Sequence, residues 1–189
     1  MEIGVWGDSI SYGAGDSAAR GWVGRLRLEL EKTSETEVYN FGICGDSTED
    51  ILKRFAIERD AVLPEAVIFA VGTNDAKYPE GGSGTYVPLE KYQQNMRALV
   101  EEAKEHTEQI YLVGLTKADE EHMRKSGTVF KNATTSEYND YLRALASEEK
   151  VTFIDVFDLI DAATDLADGL HPNAQGYEKL FQAIKPFFT

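Results

Sequence analysis

The stretch Ile3-Gly4-Val5-Trp6-Gly7-Asp8-Ser9 is a short apolar run that ends in a turn and leaves a serine just past it. A run of this length is too short for a helix and fits a buried strand. Gly7 lets the chain turn sharply, so Ser9 falls at the carboxyl edge of that strand. Outward from this point the pattern recurs in Val38 to Ile43, Ala66 to Val71, Ile110 to Leu115 and Val151 to Val156. Longer segments of helical period separate these runs, and that alternation predicts an α/β domain built on a five-stranded parallel sheet.

The helices are read from their apolar spacing. Trp22 to Leu30 is one, and Thr48 to Ile57 is a second, opened by Asp46 or Ser47 as its N-cap. Leu89, Tyr92, Met96, Leu99 and Ala103 line one face of a third. Thr134 and Glu137 have the spacing of a capping box ahead of Tyr138, Tyr141, Leu142 and Leu145, and a last helix buries Tyr177, Leu180, Phe181 and Ile184. Residues 76–88, with the run Gly81-Gly82-Ser83-Gly84, and residues 117–133 have neither period and are expected as loops after strands, where a parallel sheet frames its ligand. There is no internal repeat, and 189 residues suit a single domain.

Nineteen Lys and Arg against 33 Asp and Glu give a formal charge of −14, which repels phosphate backbones and anionic membrane surfaces. Nucleic acid and stable membrane association are therefore not expected, while composition sets no oligomeric state. The single cysteine, Cys44, can form no internal disulfide and is expected as a small buried hydrophobe. Met1 to Trp6 has neither a basic leader nor an apolar stretch of membrane length, so cytoplasmic residence is the expectation. His106 and His122 lack metal-ligand spacing and are expected at the surface, with no metal in prospect.

A serine hydroxyl is a weak nucleophile and needs a general base, usually a histidine steadied by a third group. Asp168-Gly169-Leu170-His171-Pro172 can supply both, because Pro172 biases His171 to an extended backbone and the three-residue offset can bring the Asp168 carboxylate beside the ring. Asn74, in Gly72-Thr73-Asn74-Asp75, and Gly42, in Asn40-Phe41-Gly42, follow the third and second strands and are donors of the kind that hold an oxyanion. Each motif has a plainer reading by itself. Gly-Asp-Ser can be a turn or helix cap, His-Pro a solvated turn, Asn74 a turn closure and Gly42 a positive-φ position.

Together the four blocks resemble the SGNH hydrolases in order and placement: Ser9 in Gly-Asp-Ser, Gly42 in Asn-Phe-Gly, Asn74 in Gly-Thr-Asn-Asp and His171 in Asp-Gly-Leu-His-Pro. The resemblance runs from Gly7 to the last helix. It implies a flavodoxin-like three-layer αβα sandwich, no cofactor, and hydrolysis of acyl esters or thioesters through a serine acyl-enzyme. Ser9 would be the nucleophile and His171 with Asp168 its acid–base partners. The oxyanion hole would be the Ser9 N–H, the Gly42 N–H and the Asn74 side chain.

The partner implied is a small-molecule acyl ester, with short or medium chains favoured because the chain has no segment for a large lid. A sugar deacetylase, a thioesterase and a lysophospholipase all remain open. Asp8, Tyr78 and Tyr86 are candidate substrate contacts, and residues 76–88 are expected to form a movable rim under which the two tyrosines cover an acyl chain with their hydroxyls in water. A catalytically silent binding module, or a flavodoxin-like domain with Gly7 to Ser11 as a phosphate loop, would leave the base, carboxylate and donors without a purpose.

Overall fold

Each of the five apolar runs forms a strand: β1 (Glu2–Gly7), β2 (Glu37–Gly42), β3 (Ala66–Ala70), β4 (Gln109–Val113) and β5 (Thr152–Ile154). The structure, a computed structural model, describes residues 1–189 except 19, 33–34 and 80–81. All pairings are parallel and the order is β2-β1-β3-β4-β5. In that flavodoxin-like order the chain winds one way from β1 to β2 and the other way through β3 to β5. The reversal leaves a crevice beyond the carboxyl end of β1, where α/β sheets of this kind bind ligands.

The helices are α1 (Ser9–Tyr12), α2 (Gly21–Leu30), α3 (Thr48–Val62), α4 (Thr73–Ala76), α5 (Leu89–Lys104), α6 (Glu120–Lys125), α7 (Asn132–Glu149) and α8 (Ala174–Ile184). Strand side chains alternate between two cores, as the pleat requires. Trp6, Phe69 and Leu112 meet α3, α5 and α7 on one face. Ile3, Val5 and Ile68 meet Trp22 and Leu26 of α2 and Tyr177 and Leu180 of α8 on the other. Among the described residues no helix is long and apolar enough to cross a membrane.

Helix boundaries depart from the periodicity where side chains from elsewhere intervene. Ser47, rather than Asp46, caps α3, its N–H and hydroxyl donating to the Asp50 carboxylate at 3.1 and 2.7 Å. The helix runs past Ile57 to Val62 and stops where Leu63 turns left-handed at φ 48°. Residues 117–133 are not all loop, because Asp119 accepts the His122 N–H at 3.0 Å and nucleates α6. The expected capping box of Thr134 and Glu137 does not form. Asn132 exchanges hydrogen bonds with both backbone groups of Ala118 and gives its own N–H to Glu120, which starts α7 upstream of Thr134. Cys44 is exposed rather than buried, since it lies in the loop beyond β2.

The indole of Trp6 stacks on Phe41 and meets Phe55 edge-on, each at 4.8 Å between ring centroids. It folds back over Gly4, where an added Cβ would lie 2.3 Å from the ring. Overpacking a filled core at one methyl typically costs about 1 to 3 kcal/mol. Gly4→Ala is expected to lower the urea midpoint by a corresponding amount with an unchanged slope. An unchanged midpoint would show that the indole moves aside freely.

Candidate active site

The turn after β1 is built by Asp8, whose carboxylate accepts the Ile10 N–H at 2.9 Å and caps α1. That cap sets Ser9 in the first turn of α1, at the crevice. His171 reaches the same place from the far side of the sheet, on a loop folded back on itself. There Ala167 N–H donates to His171 O at 2.8 Å and Asn173 N–H to Asp165 O at 2.7 Å. Asn173 then caps α8, accepting from Gln175 and Gly176.

The three side chains form one row. His171 Nε2 lies 2.9 Å from Ser9 Oγ, and His171 Nδ1 lies 2.7 Å from Asp168 Oδ2. Asp168 Oδ1 accepts the backbone N–H groups of Leu170 and His171 at 3.1 and 2.8 Å. Partial burial would push this carboxyl up, but the His171 ring and those amides outweigh it and hold the group below its usual range. The row keeps Asp168 an anion facing the imidazole, which steadies one tautomer.

The loop carrying Asp168 and His171 is braced from two sides. Asp119 N–H donates to Gly169 O at 2.8 Å, and the His122 ring lies so close over Gly169 that a Cβ there would be 2.8 Å from it. Gly169 has φ +85°, so the tip of this loop excludes a side chain on two grounds. On the other flank Tyr177 donates its hydroxyl to Ala14 O at 2.7 Å, tying α8 to the turn after α1.

The two residues expected as oxyanion donors, Asn74 and Gly42, are held differently. Asn74 lies in α4, largely buried, with Nδ2 donating to Asp46 O at 3.0 Å. The Gly42 N–H is taken by Asn40 Oδ1 at 2.9 Å, and a Cβ on Gly42 would meet Tyr12 N at 2.4 Å. Gly42 therefore serves the close approach of β2 to α1 rather than donating into the crevice. Gly45, three residues on, has φ +90° and nothing within 4 Å of a Cβ position. Among the described residues no acceptor takes its N–H, and its neighbour Asp46 is the residue that Asn74 holds.

The sequence model of the GDSL-like lipase/acylhydrolase family matches residues 5–179. The chain belongs to that family. Membership makes it a carboxylic ester hydrolase. It is 30% identical over 121 residues to a multidomain esterase of Ruminococcus flavefaciens, covering 62% of this chain but only 14% of that protein's length. To the human isoamyl acetate-hydrolyzing esterase 1 homolog it is 26% identical, across 96% of this chain and 79% of the relative. The acetylxylan esterase Axe2 of Geobacillus stearothermophilus superposes with a TM-score of 0.80 at 22% identity, covering 98% of this chain and 93% of Axe2.

In this GDSL-like hydrolase the expected substrate contacts fare unevenly. Asp8 is 2% exposed with its carboxylate turned inward to the α1 cap, so it does not face a substrate. The Tyr78 hydroxyl, expected in water, is 2.9 Å from Thr134 Oγ1, and its backbone N–H donates to Val129 O. Tyr138 anchors the other end of the same segment through Thr85 and Val87. The described ends of residues 76–88 are thus pinned to α7 and its approach; Gly81 lies outside the described residues. Tyr86 is exposed, with the Lys77 ammonium over its ring. A cavity of about 640 Å³ runs beside β2 and is lined by Tyr12, Arg20, Tyr39 and Phe41 but by none of Ser9, Asn74 and His171.

Two buried acids stand behind Ser9. Burial pushes the Asp8 carboxyl up to about 7 against the pull of the Ile10 amide, with the charges of Asp75 and Asp46 adding to the rise and His171 opposing it. Burial likewise raises Asp75 to about 6 despite hydrogen bonds from Thr48. An acid whose folded pKa lies above its unfolded value holds more protons folded than unfolded across that window, so its contribution to stability falls as pH rises. Asp8→Asn keeps an acceptor for Ile10 and removes the titration. The stability of the variant relative to the parent is therefore expected to climb between pH 4 and 7, by at most about 1.4 kcal/mol per pH unit, in urea unfolding. A difference that stays flat over that range would show Asp8 to titrate normally.

Proposed function

We propose that this GDSL-like hydrolase cleaves short acyl esters of polar, soluble alcohols, carbohydrates among them, through a Ser9 acyl-enzyme. The observation that carries the reading is the unbroken row Asp168–His171–Ser9, at 2.7 and 2.9 Å. Ser9 Oγ attacks the acyl carbonyl while His171 Nε2 takes the hydroxyl proton, and Asp168 faces the imidazolium that forms. The oxyanion is met by the Ser9 N–H, the Asn74 amide and the Gly45 N–H, which takes the place expected for Gly42. His171 returns the proton to the leaving alcohol. A water then repeats the sequence at the acyl-enzyme and releases the acid.

The preference for short acyl groups is supported by the names of two relatives, an acetylxylan esterase and an isoamyl acetate-hydrolyzing esterase homolog. The pinned ends of residues 76–88 agree, since a segment tied to α7 is poorly suited to open for a long chain. Cytoplasmic residence belongs to the same proposal, on the strength of a single, exposed cysteine and an acidic composition.

Ser9→Ala is expected to lose ester hydrolysis by roughly 10³-fold or more and all labelling by a fluorophosphonate. Asn74→Ala should lower kcat by roughly 10² to 10³ with little change in KM. Near-normal turnover by Ser9→Ala would overturn the assignment of the nucleophile. A series of 4-nitrophenyl esters from acetate to decanoate, run beside acetylated xylo-oligosaccharides, tests the substrate: kcat/KM should be highest for acetyl and fall with chain length. A maximum at decanoate would contradict it.

A further inference from the structure

We infer that Arg54 is a positioning residue for the oxyanion donors, acting through Asp46. The inference rests on the proposed serine-esterase reading. Arg54 projects from the second turn of α3, and its guanidinium is mostly buried at the carboxyl edge of the sheet. Its Nε donates to Asp46 Oδ2 at 2.9 Å, Nη1 to Glu58, and Nη2 to Phe41 O at 2.8 Å and, at 3.5 Å, to Gly7 O. One planar group thus spans the ends of β1 and β2, the loop that follows β2, and its own helix.

Asp46 is held at its carboxylate and at its carbonyl. Its carboxylate is on Arg54, and its backbone carbonyl accepts Asn74 Nδ2 at 3.0 Å. It also follows Gly45 directly, so a single rigid peptide unit, Gly45–Asp46, separates the open Gly45 N–H from the Asp46 carbonyl that anchors Asn74. Nothing else described grips the Asp46 side chain, and the loop's remaining support is the Ile43 N–H on Gly7 O and the Asp46 N–H on Ile43 O. The fork is fixed in turn by Glu58, which also accepts the Trp6 indole N–H at 2.9 Å.

Helix α3 does not need this fork to stay on the sheet. Ile51 and Phe55 bury it in the core, and Ser47 with Asp50 caps it. The polar reach of Arg54 is directed instead at the strand ends and the loop where the oxyanion would form. A lysine could not replace it, because a single ammonium cannot address Asp46, Phe41 and Glu58 in one plane.

The test compares Arg54→Met, Arg54→Lys, Asp46→Asn and the Arg54→Met/Asp46→Asn double variant on 4-nitrophenyl acetate, with melting temperature measured for each. Displacing donors by a fraction of an ångström to an ångström is expected to lower kcat by roughly 10- to 100-fold in both Arg54 variants, with KM within about two-fold. Because both residues act on one loop, the double variant should be no slower than Arg54→Met alone. Should Arg54→Met fail to fold, Arg54→Lys and Asp46→Asn carry the same comparison at a temperature where each is native. Parental kcat, a change in KM alone, losses that multiply in the double variant, or losses that track the unfolded fraction would each overturn the role. If the parent protein neither hydrolyses the ester nor reacts with a fluorophosphonate, the esterase reading itself has failed, which is a different result.

Discussion

A hydrogen bond of 2.9 Å joins two residues 162 positions apart, Ser9 and His171, and the rest of the molecule is arranged so that it can exist. Ser9 follows β1, near one side of the sheet, whereas the chain leaves β5 at the opposite edge. The connection from β5 has to come back across β4 and β3 before its histidine can face the serine. It does so because α8 packs beside α2 on the face that holds Ile3, Val5 and Ile68, and the preceding loop is carried with it. Core packing on one face therefore sets a polar distance at the edge.

Electrostatics in the crevice follow from the same burial. Fixed negative charge near Ser9 would favour the imidazolium but oppose a developing oxyanion. Asp8 and Asp75 are both buried close by, and burial raises both. Near neutrality Asp8, at about 7, is only half ionised, whereas Asp75, at about 6, is mostly an anion held by Thr48. The proposed oxyanion donors are neutral amides, and the Arg54 guanidinium is turned onto Asp46 and Glu58.

The sheet was legible because strands buried on both faces are written as apolar runs, and no long-range contact alters that. The row of Ser9, His171 and Asp168 was legible because two of its members are neighbours in sequence and the third follows a strand. What escaped depends on side chains meeting across the fold. Asn40 decides which glycine of Asn-Phe-Gly-Ile-Cys-Gly still has a free N–H, and that side chain's direction is a tertiary matter. Tyr78 looked free until Thr134, 56 residues later, took its hydroxyl. Asp8 sits next to Ser9 in the chain yet faces the interior, since the turn that presents Ser9 rotates its neighbour inward. Arg54 has no local signature at all, being one charged residue in an amphipathic helix until its acceptors are known.

The lone thiol offers an unplanned convenience. Cys44 is solvent-exposed and stands one position ahead of Gly45 in the loop that Arg54 and Asn74 restrain. With a single cysteine in 189 residues, a maleimide fluorophore or a nitroxide would attach at one place without any engineering of the sequence. Such a tag would report the local mobility of that loop in solution, on the nanosecond timescale that line shapes and anisotropy resolve. It would make the rigidity of the crevice a spectroscopic quantity, followed separately from turnover.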